Sequence, residues 1–244
     1  MRILLAVVLC ASAWAQGVPS IGTVNSVSGG GGGGTPTLIS GTAQCQSFSG
    51  PTSGNDYTTT AINDTGGTAD FLWVAYYAGG GGSISSITDS NSNTEAGHLT
   101  PYGNWTLHYY SAPTVGSGHT WTVHGTSAYI YPVVCTESWS GVTGVFNTGT
   151  DFGQALGYGT STCQPSSAIT PSAGYPLILF GMLGFGSGDT FTSINEGFGN
   201  PDNPGSDGSG MVASLVQGSP ASVQPIATVS NTGAVLNCSI AAFK

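Results

Sequence analysis

The densest run of side chains with chemical potential is Asp89-Ser90-Asn91-Ser92-Asn93-Thr94-Glu95. Asp89, Asn91 and Asn93 place oxygen atoms at alternate positions, the ligand type that a hard cation such as calcium takes. The EF-hand version of that pattern needs Gly at its sixth position and a distal Glu. Here the sixth residue is Thr94, and Glu95 follows too early. The same residues also make a hairpin turn, because Asp, Asn and Ser side chains bond their own backbone, and the turn is the first reading. Asp202 and Asp207, within Asn200–Gly208, offer a second calcium candidate, with a long exposed loop as the simpler alternative. Calcium is the one cofactor these residues suggest, and no other is expected.

Four histidines are present: His98, His108, His119 and His124. His108 and His124 fall on one side of an expected hairpin, as diagonal neighbours about 7 Å or more apart. Two imidazoles can begin a metal site, but the sequence supplies no evident third ligand, so histidines on a wet sheet face are expected. Glycoside hydrolysis needs two carboxyls at a spacing of about 5 Å or more. Glu137 has no acidic neighbour at positions 135 or 139, and Glu196 stands alone in Asn195-Glu196-Gly197, a turn sequence. Gly184-Phe185-Gly186-Ser187-Gly188 is not followed by the helix that a nucleophile elbow requires. Aromatic rings on an exposed sheet face can stack on sugars; Tyr77, Tyr110 and Trp139 are the candidates, against ordinary strand content.

The elements that must hold these residues are strands. Forty glycines and thirteen prolines interrupt the chain every few residues, and the apolar residues between them come in short β-branched and aromatic runs. Phe71–Tyr77 and Leu177–Leu183 read as strands buried on both faces. Trp105–Tyr110 and Trp121–His124 alternate apolar with polar residues and read as a hairpin with one wet face. Tyr129–Trp139 is a further strand whose Pro132 predicts an edge or a bulge. Met211–Val216 and Ala234–Phe243 complete the set. About ten strands with polar turns predict an all-β fold, a two-sheet antiparallel β-sandwich of jelly-roll type. No repeat with a period of 20–50 residues is evident, which disfavours propellers and solenoids.

Met1-Arg2, the apolar run Ile3–Ala11 and the small-x-small site Ala13-Trp14-Ala15 read as an export signal over residues 1–15, cleaved after Ala15. Residues 16–34 end in six consecutive glycines and read as a flexible spacer, leaving 35–244 as a single sandwich domain. No later segment is long and apolar enough for a membrane span. Lys244 is then the single cation against eleven acidic side chains, which excludes phosphate neutralisation and hence nucleic acid as a partner. Cys45, Cys135, Cys163 and Cys238 remain after cleavage, an even set that predicts two disulfides in an exported chain. Four cysteines allow three pairings; Cys45–Cys238 with Cys135–Cys163 is the preferred one.

Several of these runs are also familiar in their order. Phe71-Leu72-Trp73-Val74-Ala75 resembles the opening strand of a β-sandwich module common in bacterial secreted and surface proteins. Ile87–Thr94 is similar to its "ITDS-x-x-N-T" turn. His108–Ala112 and His119–Val123 resemble its next hairpin, Glu137–Val142 its "E-[FY]-S-G-V" segment, and Ile240–Lys244 its closing strand. The resemblance spans roughly residues 71–244. It implies a concanavalin A-like or jelly-roll sandwich outside the cell, in an adhesive or structural role, without a settled activity. The function expected is thus a non-catalytic extracellular structural or adhesive protein, with a glycan or cell-surface component as partner and self-association open. A secreted glycosidase or lyase on the same fold, and a subunit of an extracellular fibre or coat, are the alternatives.

Overall fold

The computed structural model describes residues 34–76, 82–102, 105–127, 129–143, 152–158, 160–171, 177–185, 190–202, 210–230 and 235–244. The export signal and the spacer up to residue 33 lie outside them. The described residues form strands and no helix.

The first half runs through β1 (Thr37–Leu38), β2 (Gln44–Ser47), β3 (Asp56–Thr58), β4 (Ile62–Asn63), β5 (Ala69–Tyr76), β6 (Ile84–Asp89), β7 (Gly97–Tyr102), β8 (Trp105–Ser111), β9 (Ser117–His119), β10 (Trp121–Gly125) and β11 (Pro132–Ser140). β1-β11-β5-β8-β7 form a large antiparallel sheet, with β2 also on β11, and β3-β10-β6 form a small one. β4 pairs with β9. The second half contains β12 (Phe152–Tyr158), β13 (Thr162–Cys163), β14 (Leu177–Phe185), β15 (Phe191–Ile194), β16 (Gly199–Asp202), β17 (Gly210–Val216), β18 (Ala227–Val229) and β19 (Val235–Phe243). Its large sheet is β12-β19-β14-β17-β16 and its small sheet β13-β18-β15. Taken in chain order, β2, β3, β5, β6, β7, β8, β10 and β11 correspond one by one to β12–β19. Every pairing among them recurs, so the two halves share one topology.

Side-chain alternation explains how the sheets stack. On β5, Phe71, Trp73 and Ala75 point into a core shared with Leu177, Leu179, Ala241 and Phe243 of the second half. Leu72 and Val74, on the opposite face, meet Tyr57, Trp121 and Val123 of the first small sheet. On β14 the same alternation sends Ile178, Phe180 and Met182 outward against Ala227 and Val229 of the second small sheet. The layer order is small, large, large, small. Two sheets were expected and four layers are found, because both large sheets bury both faces; this is why their central strands read as unbroken apolar runs. The antiparallel all-β expectation holds.

Three local expectations are corrected. The runs Trp105–Tyr110 and Trp121–His124 do not pair: β8 lies between β5 and β7, whereas β10 lies across the core between β3 and β6. β8 alternates because Trp105, Leu107 and Tyr109 face the core between the two large sheets, and β10 because Trp121 and Val123 face the core under the first small sheet. Pro132 is not inside a strand but is the first residue of β11, where its missing N–H removes no ladder bond. Tyr131 before it has a φ of 38°, so the chain turns there. The disulfides are Cys45–Cys135 and Cys163–Cys238. Cys45 and Cys135 are register partners on adjacent strands, and the second bond joins β13 to β19 across the outer core. Each half therefore closes its own disulfide, where the preferred pairing had crossed between halves.

Candidate functional site

All four histidines belong to the first half, and each one meets a carboxylate. His119 ends β9, directly after Gly118, whose φ of 82° is a conformation that glycine adopts freely. Its Nδ1 donates to Asp64 Oδ2 in a very short contact, and its Nε2 lies 2.7 Å from Asp89 Oδ2. Asp64 sits in the turn after β4, where its Oδ1 also accepts the Gly116 N–H at 2.6 Å. Asp89 ends β6. Asp70, on β5, places an oxygen 3.9 Å from His119 Nδ1. All of these side chains are enclosed, at no more than 1% exposure. The Trp121 indole covers the imidazole, with ring centroids 4.1 Å apart.

A ring that donates from both nitrogens to carboxylates is an imidazolium. Burial alone would push the His119 pKa down, but the bonds to Asp64 and Asp89 outweigh it and hold the pKa above the ordinary value. For Asp70 burial itself pushes the carboxyl up to about 7, against the lowering effect of a hydrogen bond from Ser138, with the negative charge of Asp64 adding to the rise. The cluster thus fastens the β4–β9 lobe and the turn after β6 onto β5 from inside. Enclosed on all sides, it builds structure.

The second cluster is open. His98 on β7 and His108 on β8 are register partners, with ring centroids 5.6 Å apart. Glu95, just before β7, directs one oxygen to both rings: Oε1 lies 2.9 Å from His98 Nδ1 and 3.1 Å from His108 Nδ1. The hydrogen bond from His108 holds the Glu95 carboxyl below its ordinary value, against a smaller opposing effect of burial. His98 is 58% exposed and His108 only 12%. His124, expected beside His108, instead bonds Asp56 Oδ1 at 2.7 Å and Thr88 Oγ1 at 2.8 Å. Both clusters have three ligand atoms close enough for one metal ion.

The sequence-derived candidates fall as follows. Asp89 accepts the Asn91 N–H and the Asn93 amide, and Asn93 Oδ1 accepts the Thr114 N–H. These atoms build a turn and dock it on the chain at Thr114. Asp202 begins no describable site, since only its backbone is described, and Asp207 and Tyr77 lie outside the described residues. Tyr110 and Trp139 are buried, the first between large and small sheet and the second in the shared core, so neither ring is presented to a sugar. Exposed aromatic rings stand instead at Tyr129 and Tyr131. Glu137 is fully buried in β11, and Glu196 sits in its expected turn, accepting the Gln224 N–H at 2.8 Å. Between the large sheets, Trp73, Trp105, Val133 and Val212 help line a void of about 10 Å³, apolar and no larger than a water molecule.

Sequence reasoning missed Asp64, Asp70 and Glu95 as partners of histidine. Their separations along the chain carry no motif; only the pairing of β4 with β9 and of β7 with β8 brings them to the rings. No helix of the described residues is long and apolar enough to cross a membrane. Comparison with family models, curated proteins and solved structures finds no match.

Proposed function

We propose that this chain is a non-catalytic extracellular protein, structural or adhesive, built as two tandem jelly-roll sandwiches. The observation that carries the reading is the repeated strand order. In the first half β2-β11-β5-β8 faces β3-β10-β6, and in the second β12-β19-β14-β17 faces β13-β18-β15. First strand beside last, with most consecutive strands assigned to opposite sheets, is the order that two interlocked Greek keys produce. The extracellular setting is also what the resemblance of residues 71–244 to a secreted bacterial sandwich module implies.

Where the polar groups lie supports a scaffold. The His119 cluster and Glu137 are enclosed, and Tyr110 and Trp139 fill cores. Side chains that an enzyme or a lectin would turn outward serve cohesion here. Two disulfides, one per half, suit an oxidising compartment outside the cell, and a surface with almost no Lys or Arg gives no hold on phosphates. A glycan or cell-surface partner would meet Tyr129 and Tyr131, between β10 and β11, rather than Tyr110 and Trp139.

A glycan array together with a polysaccharide-hydrolysis screen, run on the secreted protein with and without calcium, tests the reading. No reducing ends are expected from any polymer. Release of reducing ends by the wild type, abolished by a single carboxylate substitution, would sink the non-catalytic assignment.

A further inference from the structure

We propose that Glu95, His98 and His108 form a binding site for a zinc-class divalent cation at the open edge of the first sandwich. Two imidazoles and one carboxylate suit Zn²⁺ and its borderline-soft relatives, whereas calcium takes oxygen alone. The inference concerns a ligand of the first half and does not depend on whether the scaffold is adhesive or structural.

The geometry is that of ligands around a single ion. Two atoms each about 2.1 Å from a metal and subtending 90–110° are about 3.0–3.4 Å apart. Glu95 Oε1 is 2.9 Å from one Nδ1 and 3.1 Å from the other, so a small outward adjustment admits the ion. The arrangement is imposed by backbone pairing. His98 and His108 are opposite each other across β7 and β8. The Ala96 N–H bonds the Tyr109 carbonyl at 2.9 Å, which brings Glu95 alongside both rings.

On the far side of His108, Thr106 Oγ1 lies 2.7 Å from Nε2, a hydrogen bond that holds the ring with Nδ1 towards Glu95. Outer hydrogen bonds of this kind orient the histidine ligands of metal sites. The exposure of His98 gives the ion an entry path and leaves coordination positions for water. Arg2 and Lys244 are the only Lys or Arg side chains in the whole sequence, so at most one guanidinium and one side-chain ammonium could compete for Glu95.

The test is Zn²⁺ titration of the tag-free protein by calorimetry at pH 7.5, with Co²⁺ absorption as a second probe. One Zn²⁺ per chain is expected. H98A and E95Q should each weaken binding at least tenfold with an unchanged melting temperature, because His98 is at the surface. H124A should bind as the wild type does. Binding should fall at least tenfold at pH 5.5, since the ion displaces protons from the ligands. Absence of Zn²⁺ binding overturns the proposal. So does Zn²⁺ binding that H98A and E95Q leave unchanged, which would place the ion elsewhere, for instance among Asp64, Asp70 and His119.

Discussion

Asp70 lies on β5 with its carboxyl enclosed, and its pKa of about 7 links the cluster around His119 to the stability of the whole fold. Unfolded, Asp70 releases its proton near pH 4, while the folded protein holds it to about 7. The native state therefore binds more protons in that window, and stability falls as pH rises from about 4 to about 7. His119 acts in the same direction. Its raised pKa gives a contribution that is full below the unfolded imidazole value and is lost as pH climbs through the folded one. The groups facing this ring are Asp64, Asp70 and Asp89, with Trp121 stacked on it. Removing the charge at position 70 should flatten the acid-to-neutral decline. Asp70→Asn should match the wild type near pH 4 and exceed it by about 2–4 kcal/mol at pH 8. Urea unfolding at the two pH values measures this; identical pH profiles for the two proteins would refute the assignment.

Among the elements, β5 meets β14 and β19 of the second half across the shared core. Phe71 packs on Phe243 with centroids 4.5 Å apart, and Trp73 lies over Gly181 of β14. A Cβ at Gly181 would sit 2.7 Å from the indole, so hydrogen is the only substituent this contact admits. Gly181→Val should destabilise by about 1–3 kcal/mol or more, the usual cost of overpacking a filled core, visible as a lower melting temperature. A glycine in the middle of an apolar strand reads from sequence as a weak point; the cross-sheet contact turns it into a requirement. The same limit explains the misplaced hairpin. β8 and β10 each alternate as a strand with one core face should, and alternation fixes the face without naming the neighbour. Consecutive strands here often lie in opposite sheets, as β5 and β6 do, so adjacency in the chain misleads.

At the scale of the molecule, two halves of one topology share a core and each carries a disulfide. The bonds close loops of 90 and 75 residues, for which chain entropy gives a stabilisation of about 4.5 kcal/mol each. Removing Cys163 and Cys238 together as alanines should lower unfolding free energy by about 2–5 kcal/mol, measured by denaturant titration. Non-reducing peptide mapping should recover Cys45–Cys135 and Cys163–Cys238 and no link between halves. The chemistry is unevenly divided: every histidine sits in the first half, and the second supplies an outer core and a flat partner for Phe71 and Trp73.

What the amino-acid sequence determined by itself was local. Glycine and proline density, the β-branched and aromatic runs and the spacing of turns fixed strands at Phe71, Leu177, Met211 and Val235, because a strand's side-chain period is a property of a few consecutive residues. It also fixed that Asp89–Asn93 turns, since those side chains bond the backbone beside them. Pairing was decided only in three dimensions. Which cysteine meets which, that Tyr110 and Trp139 turn inward, and that Glu95 reaches His98 and His108 while Asp64 and Asp89 clasp His119 all depend on register between strands far apart in the chain. Register is set by how four layers bury both faces of two sheets at once, and no window along the sequence contains that condition.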